Sequence, residues 1–228
     1  PLGVGHFQIG SIAVRMLSFD ADTSIDEEFY RQRLADALRM RQVLGLRRHD
    51  NNAFRLVHGE GDFLPGLVVD VYGDTAVIQA HSPGMHYARH TIANVLTGMP
   101  EAGIRNIYYK SETTLPYKAR LDPVNDYLIG HADTDVAIEN SLKFHVDWLR
   151  GQKTGFFVDQ RDNRALLGKY AAARRVLNMF CYTGGFSVYA LAGGAASVTS
   201  VDSSAKAISL TDANVALNQN GDATAAGR

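Results

Sequence analysis

The last third of the sequence alternates between two kinds of segment, and this alternation limits the fold more than any other feature. Residues 175–180 and 197–202 are short runs rich in apolar and β-branched side chains, as expected for strands. Helical patterns precede, separate and follow them, at 162–173, 186–192 and 204–218. Because strands that alternate with helices form βαβ units, we predict an α/β fold with a parallel sheet. The last helix is expected to bury Ala207, Leu210, Ala213 and Leu217.

A different pattern opens with a helix in the central part of the chain. Ser24 and Glu27 have the spacing of a capping box, which begins a helix, and Gly45 is placed to end it. Its buried side should include Phe29, Leu34, Leu38 and Val43. We predict that this helix belongs to a domain spanning 21–133, and we interpret 1–20 as a linker or remnant of a preceding domain.

Short strands follow this helix. Gly73-Asp74 is typical of a tight hairpin turn between two of them. The predicted strands lie at 54–57, 67–72, 76–80 and 104–109, with a helix at 86–97. Residues 111–133 show no clear period and are read as a loop. The central domain is therefore predicted to be a small α+β unit, a meander with a helix laid across it.

The predicted C-terminal domain, 134–228, begins with a hairpin at 136–139 and 142–146. The strands and helices of the α/β pattern come after it. Two parallel strands do not make a stable sheet by themselves, so we expect this domain to be cut off.

The turn after the first strand of the α/β pattern carries the features of a cofactor site. Gly184 and Gly185 allow the backbone to approach a ligand at the carboxyl end of a parallel strand. Asp202 ends the next strand, at the same edge of the sheet, where a carboxylate can accept both hydroxyls of a ribose. This pair suits either a dinucleotide or S-adenosylmethionine.

Three details favour S-adenosylmethionine. The turn Tyr182-Thr183-Gly184-Gly185-Phe186 lacks the G-x-G-x-x-G pattern of dinucleotide sites. Its bulky aromatic residues crowd the position where a pyrophosphate would need bare amides. Upstream, 153–161 combines two aromatic residues with several hydrogen-bonding side chains beside one glycine.

These motifs together resemble a known family. The runs are K-T-G-F-F-V-D-Q-R-D-N-R from Lys153, R-V-L-N-M-F-C-Y-T-G-G-F-S-V from Arg175, S-V-T-S-V-D-S-S from Ser197, and R-L-V-H-G-E-G-D-F-L-P-G-L-V-V-D-V-Y-G-D from Arg55. In this order they resemble the bacterial large-subunit ribosomal RNA cytosine-5 methyltransferases, from about Ile12 to Asn218. The resemblance implies a PUA RNA-binding domain, a central α+β domain and a Rossmann-like methyltransferase domain, of which the first is essentially missing and the last is truncated.

The resemblance also implies the chemistry. The cofactor would be S-adenosylmethionine and the substrate ribosomal RNA, methylated at carbon 5 of a cytosine. The residues implied at the cofactor are Thr154, Phe156, Phe157, Asp159, Gln160, Arg161, Asn178, Phe180, Tyr182, Thr183, Gly184, Asp202 and Ser203. The catalytic cysteine would lie downstream of Arg228, so no catalytic residue is named. Cys181, inside the turn, is interpreted as packing because buried cysteines are commonly inert.

Composition sets further limits. The net charge is −1 and there is one cysteine, which excludes an internal disulfide and fits a cytoplasmic protein. No apolar run is long enough to span a membrane, and the histidines show no metal-ligand spacing. Arginines cluster at Arg31, Arg33, Arg39, Arg41, Arg47 and Arg48, against Asp36 and Asp50. Such a cluster could bind RNA phosphates, or it could simply complement the dipole of the helix. The second interpretation is favoured.

Two other interpretations stay open from the residues alone. One is a nicotinamide-dependent oxidoreductase on a Rossmann sheet, which the absent dinucleotide pattern disfavours. The other is a non-catalytic RNA-binding or assembly module. Whether a homodimer or another partner supplies RNA affinity is not decided by the sequence.

Overall fold

The computed structural model describes residues 1–219. An antiparallel hairpin comes first, formed by β1 (Val4–Phe7) and β2 (Val14–Ser18). Leu17 of β2 is buried in the core of the domain that follows. Residues 4–18 therefore form a paired hairpin packed against that core, and the interpretation of 1–20 as a linker or remnant of a preceding domain stays a prediction.

A five-stranded mixed sheet with helices on one face forms the central part. Its elements are α1 (Glu27–Val43), β3 (Ala53–His58), β4 (Leu67–Tyr72), β5 (Thr75–Ala80), α2 (Pro83–Tyr87), α3 (Arg89–Thr97), β6 (Asn106–Tyr109) and β7 (Asp126–Ile129). The strand order is β3-β4-β5-β6-β7, and the β5–β6 pair alone is parallel. The chain crosses between β5 and β6 through α2 and α3, as a parallel pair requires.

The C-terminal half contains the predicted α/β pattern. Its elements are β8 (Val136–Glu139), β9 (Leu142–His145), α4 (Arg161–Tyr170), β10 (Arg175–Met179), α5 (Gly185–Ala192), β11 (Ser197–Val201) and α6 (Ala205–Asn218). Strands β10 and β11 pair in parallel, with Arg175 opposite Ser197 and Met179 opposite Val201. The cofactor turn and Asp202 therefore lie at the same edge of this pair, where the two strands end.

A second apolar core joins the two halves. Tyr72, Val77 and Tyr108, from the face of the sheet away from α1, pack with Phe144 and Trp148 of the C-terminal half. The rings of Tyr72 and Trp148 stack with centroids 6.3 Å apart. The central sheet is thus buried on both faces, which explains why β5 is buried along its whole length.

Three predictions about the central part need correction. Helix α1 is capped by Asp26 rather than Ser24, since the Asp26 carboxylate accepts the Phe29 amide at 3.0 Å. Val43 is 80% exposed because it lies in the last turn, on the outer side of the helix. Residues 111–133 are not all loop, since β7 adds a strand to the edge of the sheet beside β6.

Two predicted helices also differ from the structure. The predicted helix 86–97 is two helices, α2 and α3, which meet at Ala88. In α6 Ala207 is buried as predicted, but Leu210, Ala213 and Leu217 are only partly buried, and the other buried residues are Thr211 and Asn214. No helix in residues 1–219 is long and apolar enough to cross a membrane.

Candidate cofactor site

The turn after β10 has an unusual backbone. Phe180, Tyr182 and Gly184 all have positive φ angles, of 58°, 49° and 75°. Gly184 also caps α5, and a Cβ atom there would lie 2.5 Å from Cγ2 of Thr211. A side chain at position 184 would therefore meet both backbone strain and a clash, so glycine is required.

Asp202 anchors this turn from the end of β11. Its Oδ2 accepts the Tyr182 amide at 2.9 Å, and its Oδ1 accepts the Ser204 amide at 3.0 Å. The Ser204 and Tyr182 amides hold the pKa of the Asp202 carboxyl below its usual range. The group is consequently an ionised acceptor at neutral pH, with lone pairs left for the hydroxyls of a ribose.

Helix α6 supports the turn with polar side chains. Thr211 Oγ1 lies 3.1 Å from the carbonyl oxygen of Tyr182, and Asn214 Nδ2 donates to the Thr183 carbonyl at 2.8 Å. Asn214 Oδ1 in turn accepts the His145 amide of β9 at 2.7 Å. Neither Thr211 nor Asn214 was predicted at the site, although a polar pair three positions apart on one side of a helix was a usable signal.

Tyr182 fixes the turn against the segment before α4. Its hydroxyl accepts the Gln152 amide at 3.0 Å and donates to the Gly155 carbonyl at 3.1 Å. The ring meets the Phe157 ring edge-on, with centroids 5.2 Å apart. Burial raises the pKa of the Tyr182 phenol, which keeps the hydroxyl protonated as a donor.

Two small clefts flank Tyr182. The Asp202 cleft, of about 130 Å³, is lined by Asp147, Arg150, Gly151, Gln152, Tyr182, Thr183, Asp202, Ser204, Lys206, Ala207 and Leu210. The Phe157 cleft, of about 110 Å³, is lined by Phe156, Phe157, Gln160, Arg164, Phe180, Cys181, Tyr182, Thr183, Gly185 and Phe186. Each is smaller than the roughly 300 Å³ usual for a ligand of drug size.

The family model of S-adenosylmethionine-dependent methyltransferases matches residues 57–225. The chain belongs to this family. Similar curated proteins named "Ribosomal RNA large subunit methyltransferase I" include that of Tolumonas auensis, 42% identical over 91% of this chain and 52% of its own length. The protein of that name from Alteromonas mediterranea is 43% identical over 95% of this chain and 54% of its own. The chain spans about half the length of these curated relatives.

Two solved structures resemble this methyltransferase chain along most of its length. One, assigned as an S-adenosylmethionine-dependent methyltransferase of Streptococcus mutans, has a TM-score of 0.81 and 25% identity, covering 96% of this chain and 56% of its own. The methyltransferase SMU.776, in complex with SAH (S-adenosylhomocysteine), has the same TM-score, 0.81, and identity, 25%, and covers 96% of this chain and 55% of its own. The predicted fold class and cofactor are confirmed, and the oxidoreductase interpretation is wrong.

The structure brings most of the predicted cofactor residues to one place. Those lining the two clefts are Phe156, Phe157, Gln160, Phe180, Tyr182, Thr183 and Asp202, with Gly184 in the turn between them. Ser203 is exposed beside Asp202. Asn178 instead bridges β10 to α5, because its Nδ2 donates to Ser187 Oγ at 2.8 Å. That these residues bind the cofactor remains a prediction from the resemblance.

Three predicted residues lie elsewhere. Asp159 and Arg161 line a different cleft, against α1 and β3. Thr154 is fully buried, and its hydroxyl donates to Asp70 Oδ2 at 2.6 Å and lies 2.9 Å from the Tyr72 hydroxyl. Thr154 holds the upstream segment on the central sheet through these contacts, and its role at the cofactor stays a prediction.

A buried ion pair supports the Phe157 cleft and was also missed by the sequence analysis. Arg164 makes two hydrogen bonds to the Glu139 carboxylate, at 2.8 and 2.7 Å, and donates to the Phe157 carbonyl at 3.0 Å. Its guanidinium carbon lies 4.5 Å from the centroid of the Phe156 ring. Arg164 therefore ties β8, α4 and the predicted cofactor segment together.

Cys181 is placed as the sequence suggested, inside the turn and buried. Its Sγ lies 3.7 Å from Thr211 Oγ1, and burial raises the pKa of the thiol. A protonated thiol without a neighbouring base is a poor nucleophile. Among residues 1–219, no group of three or more histidine, cysteine, aspartate or glutamate side chains is arranged to hold a metal ion.

Proposed function

We propose that this chain forms the cofactor-binding part of an enzyme that methylates large-subunit ribosomal RNA, at carbon 5 of a cytosine. The observation that carries the cofactor half of the proposal is the Asp202 carboxylate, held by two amides beside the glycine turn. The names of the curated relatives support the RNA half. Acting on ribosomal RNA would place the enzyme in the cytoplasm.

The side chains at the turn fit S-adenosylmethionine better than a phosphate-bearing cofactor. The Asp202 cleft offers an acceptor for the ribose hydroxyls, and the aromatic Phe157 cleft suits the methionine end. The turn exposes Phe180 at 87%, where a pyrophosphate would require bare backbone amides. When bound, S-adenosylmethionine supplies an electrophilic methyl group on a sulfonium; the protein orients it and excludes water.

Methylation at carbon 5 of cytosine needs a thiolate that adds to carbon 6 and thereby makes carbon 5 nucleophilic. The target base must also leave its stack. Cys181 is unsuited to this role because it is buried, protonated and part of the cofactor turn. We therefore name no catalytic residue in this chain.

Calorimetric titration of S-adenosylhomocysteine into this chain tests the cofactor site. We expect binding that Asp202→Ala weakens by about 10-fold or more, since a hydrogen bond to a charged group contributes about 1.5–3 kcal/mol. Asp212→Ala removes an exposed acid from α6 and serves as the matched control. Equal affinity in the wild type and Asp202→Ala would refute the assignment.

The RNA half has its own assay. A protein of the relatives' length should transfer tritium from labelled S-adenosylmethionine to large-subunit ribosomal RNA, with the label at carbon 5 of a cytosine. Label on another nucleotide would refute the position, and no label would refute the substrate. Absence of both cofactor binding and transfer would favour the non-catalytic RNA-binding module.

A further inference from the structure

A wide cleft lies where the central sheet meets the segment 149–153, and we call it the junction cleft. Its volume is about 580 Å³. It is lined by Arg55, Val68, Gln79, His81, Lys110, Thr113, Thr114, Asn125, Leu149, Arg150, Gly151, Gln152 and Lys153. Arg150, Gly151 and Gln152 also line the Asp202 cleft, so the two spaces share a wall. Whatever occupies the junction cleft would therefore lie next to the cofactor.

The charges in the junction cleft are of one sign. No carboxylate lines it among the described residues. Lys110, Arg150 and Lys153 form no salt bridge within residues 1–219. Lys110 is half-buried at the end of β6, and its Nζ donates to the Gly151 carbonyl at 2.6 Å. Holding cations in a concave space without counter-charges suits an anionic ligand.

The arginine cluster of α1 and the following loop is different, because four of its six members pair with carboxylates. Arg31 pairs with Glu27 and Glu28, Arg39 with Asp36, Arg41 with Asp62 and Arg48 with Asp50, whereas Arg33 lies over the Phe29 and Phe63 rings and Arg47 donates to the Glu101 carbonyl. The structure thus supports the structural interpretation of this cluster. Lys110, Arg150 and Lys153 of the junction cleft have no carboxylate partner within residues 1–219, although Lys153 lies over the Phe157 ring, with its Nζ 4.8 Å from the centroid.

We infer that the junction cleft binds single-stranded RNA, with Lys110, Arg150 and Lys153 contacting its phosphates. This inference rests on the proposed function and names the surface that receives the substrate. The exposed, uncharged Gln152 side chain beside the cations can form hydrogen bonds with base edges. A cleft rather than an open face favours an unpaired strand over a duplex, and Leu149, 50% exposed, offers an apolar contact to a base.

The salt dependence of RNA binding tests the inference. Fluorescence anisotropy would follow a short labelled single-stranded RNA titrated with this chain. Each phosphate contact to a single strand contributes a slope of about −0.7, so three contacts lower the affinity at least about 18-fold between about 50 and 200 mM salt. Arg150→Gln/Lys153→Gln should lose two contacts and make this fall about 7-fold smaller. Arg31→Gln/Arg39→Gln, which removes the same amount of charge from α1, is the control and should leave the fall in affinity with salt unchanged.

The outcomes separate this inference from the proposed function. A fall in affinity with salt that is about 7-fold smaller in Arg150→Gln/Lys153→Gln, and unchanged in Arg31→Gln/Arg39→Gln, would support the cleft if the circular-dichroism melting curves are also unchanged. No RNA binding by the wild type, or equal salt dependence in both double variants, would overturn it while leaving cofactor binding intact. An equal response with duplex DNA would overturn the commitment to single-stranded RNA. Methyl transfer by the longer protein is measured in a separate assay, and its failure would count against the proposed function and not against the junction cleft.

Discussion

Breaking the buried pair between Glu139 and Arg164 should be among the most destabilising changes in this chain. The two side chains are 0% and 3% exposed and meet through two hydrogen bonds. Removing one member of such a pair leaves an uncompensated buried charge, which costs about 3–5 kcal/mol. We therefore expect Arg164→Met and Glu139→Met each to lower the free energy of unfolding by about 3–5 kcal/mol.

The double variant distinguishes the pair from ordinary packing. Replacing both members of a buried ion pair by apolar side chains of similar volume is often nearly neutral, so Glu139→Met/Arg164→Met should recover most of the loss. Urea unfolding followed by circular dichroism measures all three variants. The reasoning would be refuted by single losses below about 1 kcal/mol, the value of an exposed pair, or by losses that simply add in the double variant.

Three further changes test the turn and its supports. Gly184→Ala should cost about 2–5 kcal/mol in urea unfolding, because it combines a left-handed backbone with a contact 2.5 Å from Thr211, whereas Ala190→Gly in α5 should cost only about 1 kcal/mol plus its lost packing. Thr154→Val should cost about 1.5–3 kcal/mol because buried Asp70 loses a donor, and Thr154→Ser should retain most of that stability; equal losses would contradict the hydrogen bond. Because Ser204 and Tyr182 lower the pKa of Asp202 in the folded state, its contribution to stability is present above the ordinary value of 3.8 and disappears as the pH falls through the lowered pKa. Melting temperatures of the wild type and Asp202→Asn should therefore converge in acid and separate at neutral pH, and a gap that widens in acid would contradict this.

Local signals in the sequence were sufficient for the strand ends and the cofactor turn. The predicted strand 67–72 matches β4 completely, and the turn at Gly184 and the acid at Asp202 follow the paired strands β10 and β11. These features depend on residues near one another in the chain, where periodicity and glycine placement are informative.

The supports of the site could not be predicted in the same way. The resemblance placed Thr154 at the cofactor, and no local pattern reveals its contact with Asp70, which lies 84 positions earlier. In α6 an apolar periodicity placed Leu210 and Leu217 inside, but the turn it packs against presents carbonyl groups that need donors. Polar Thr211 and Asn214 are buried there because an unpaired carbonyl in the interior is costly.

These supports have a common consequence for how the cofactor site is held. The β10–β11 pair contributes little apolar burial, since Leu177 is 63% exposed and Phe180 is 87% exposed. Its turn is instead held by hydrogen bonds from α6 on one side and from the 152–155 backbone to Tyr182 on the other. Thr154 fastens that backbone to Asp70 of the central sheet. The geometry of the predicted cofactor site therefore depends on the central domain, although no residue of that domain lines either cleft.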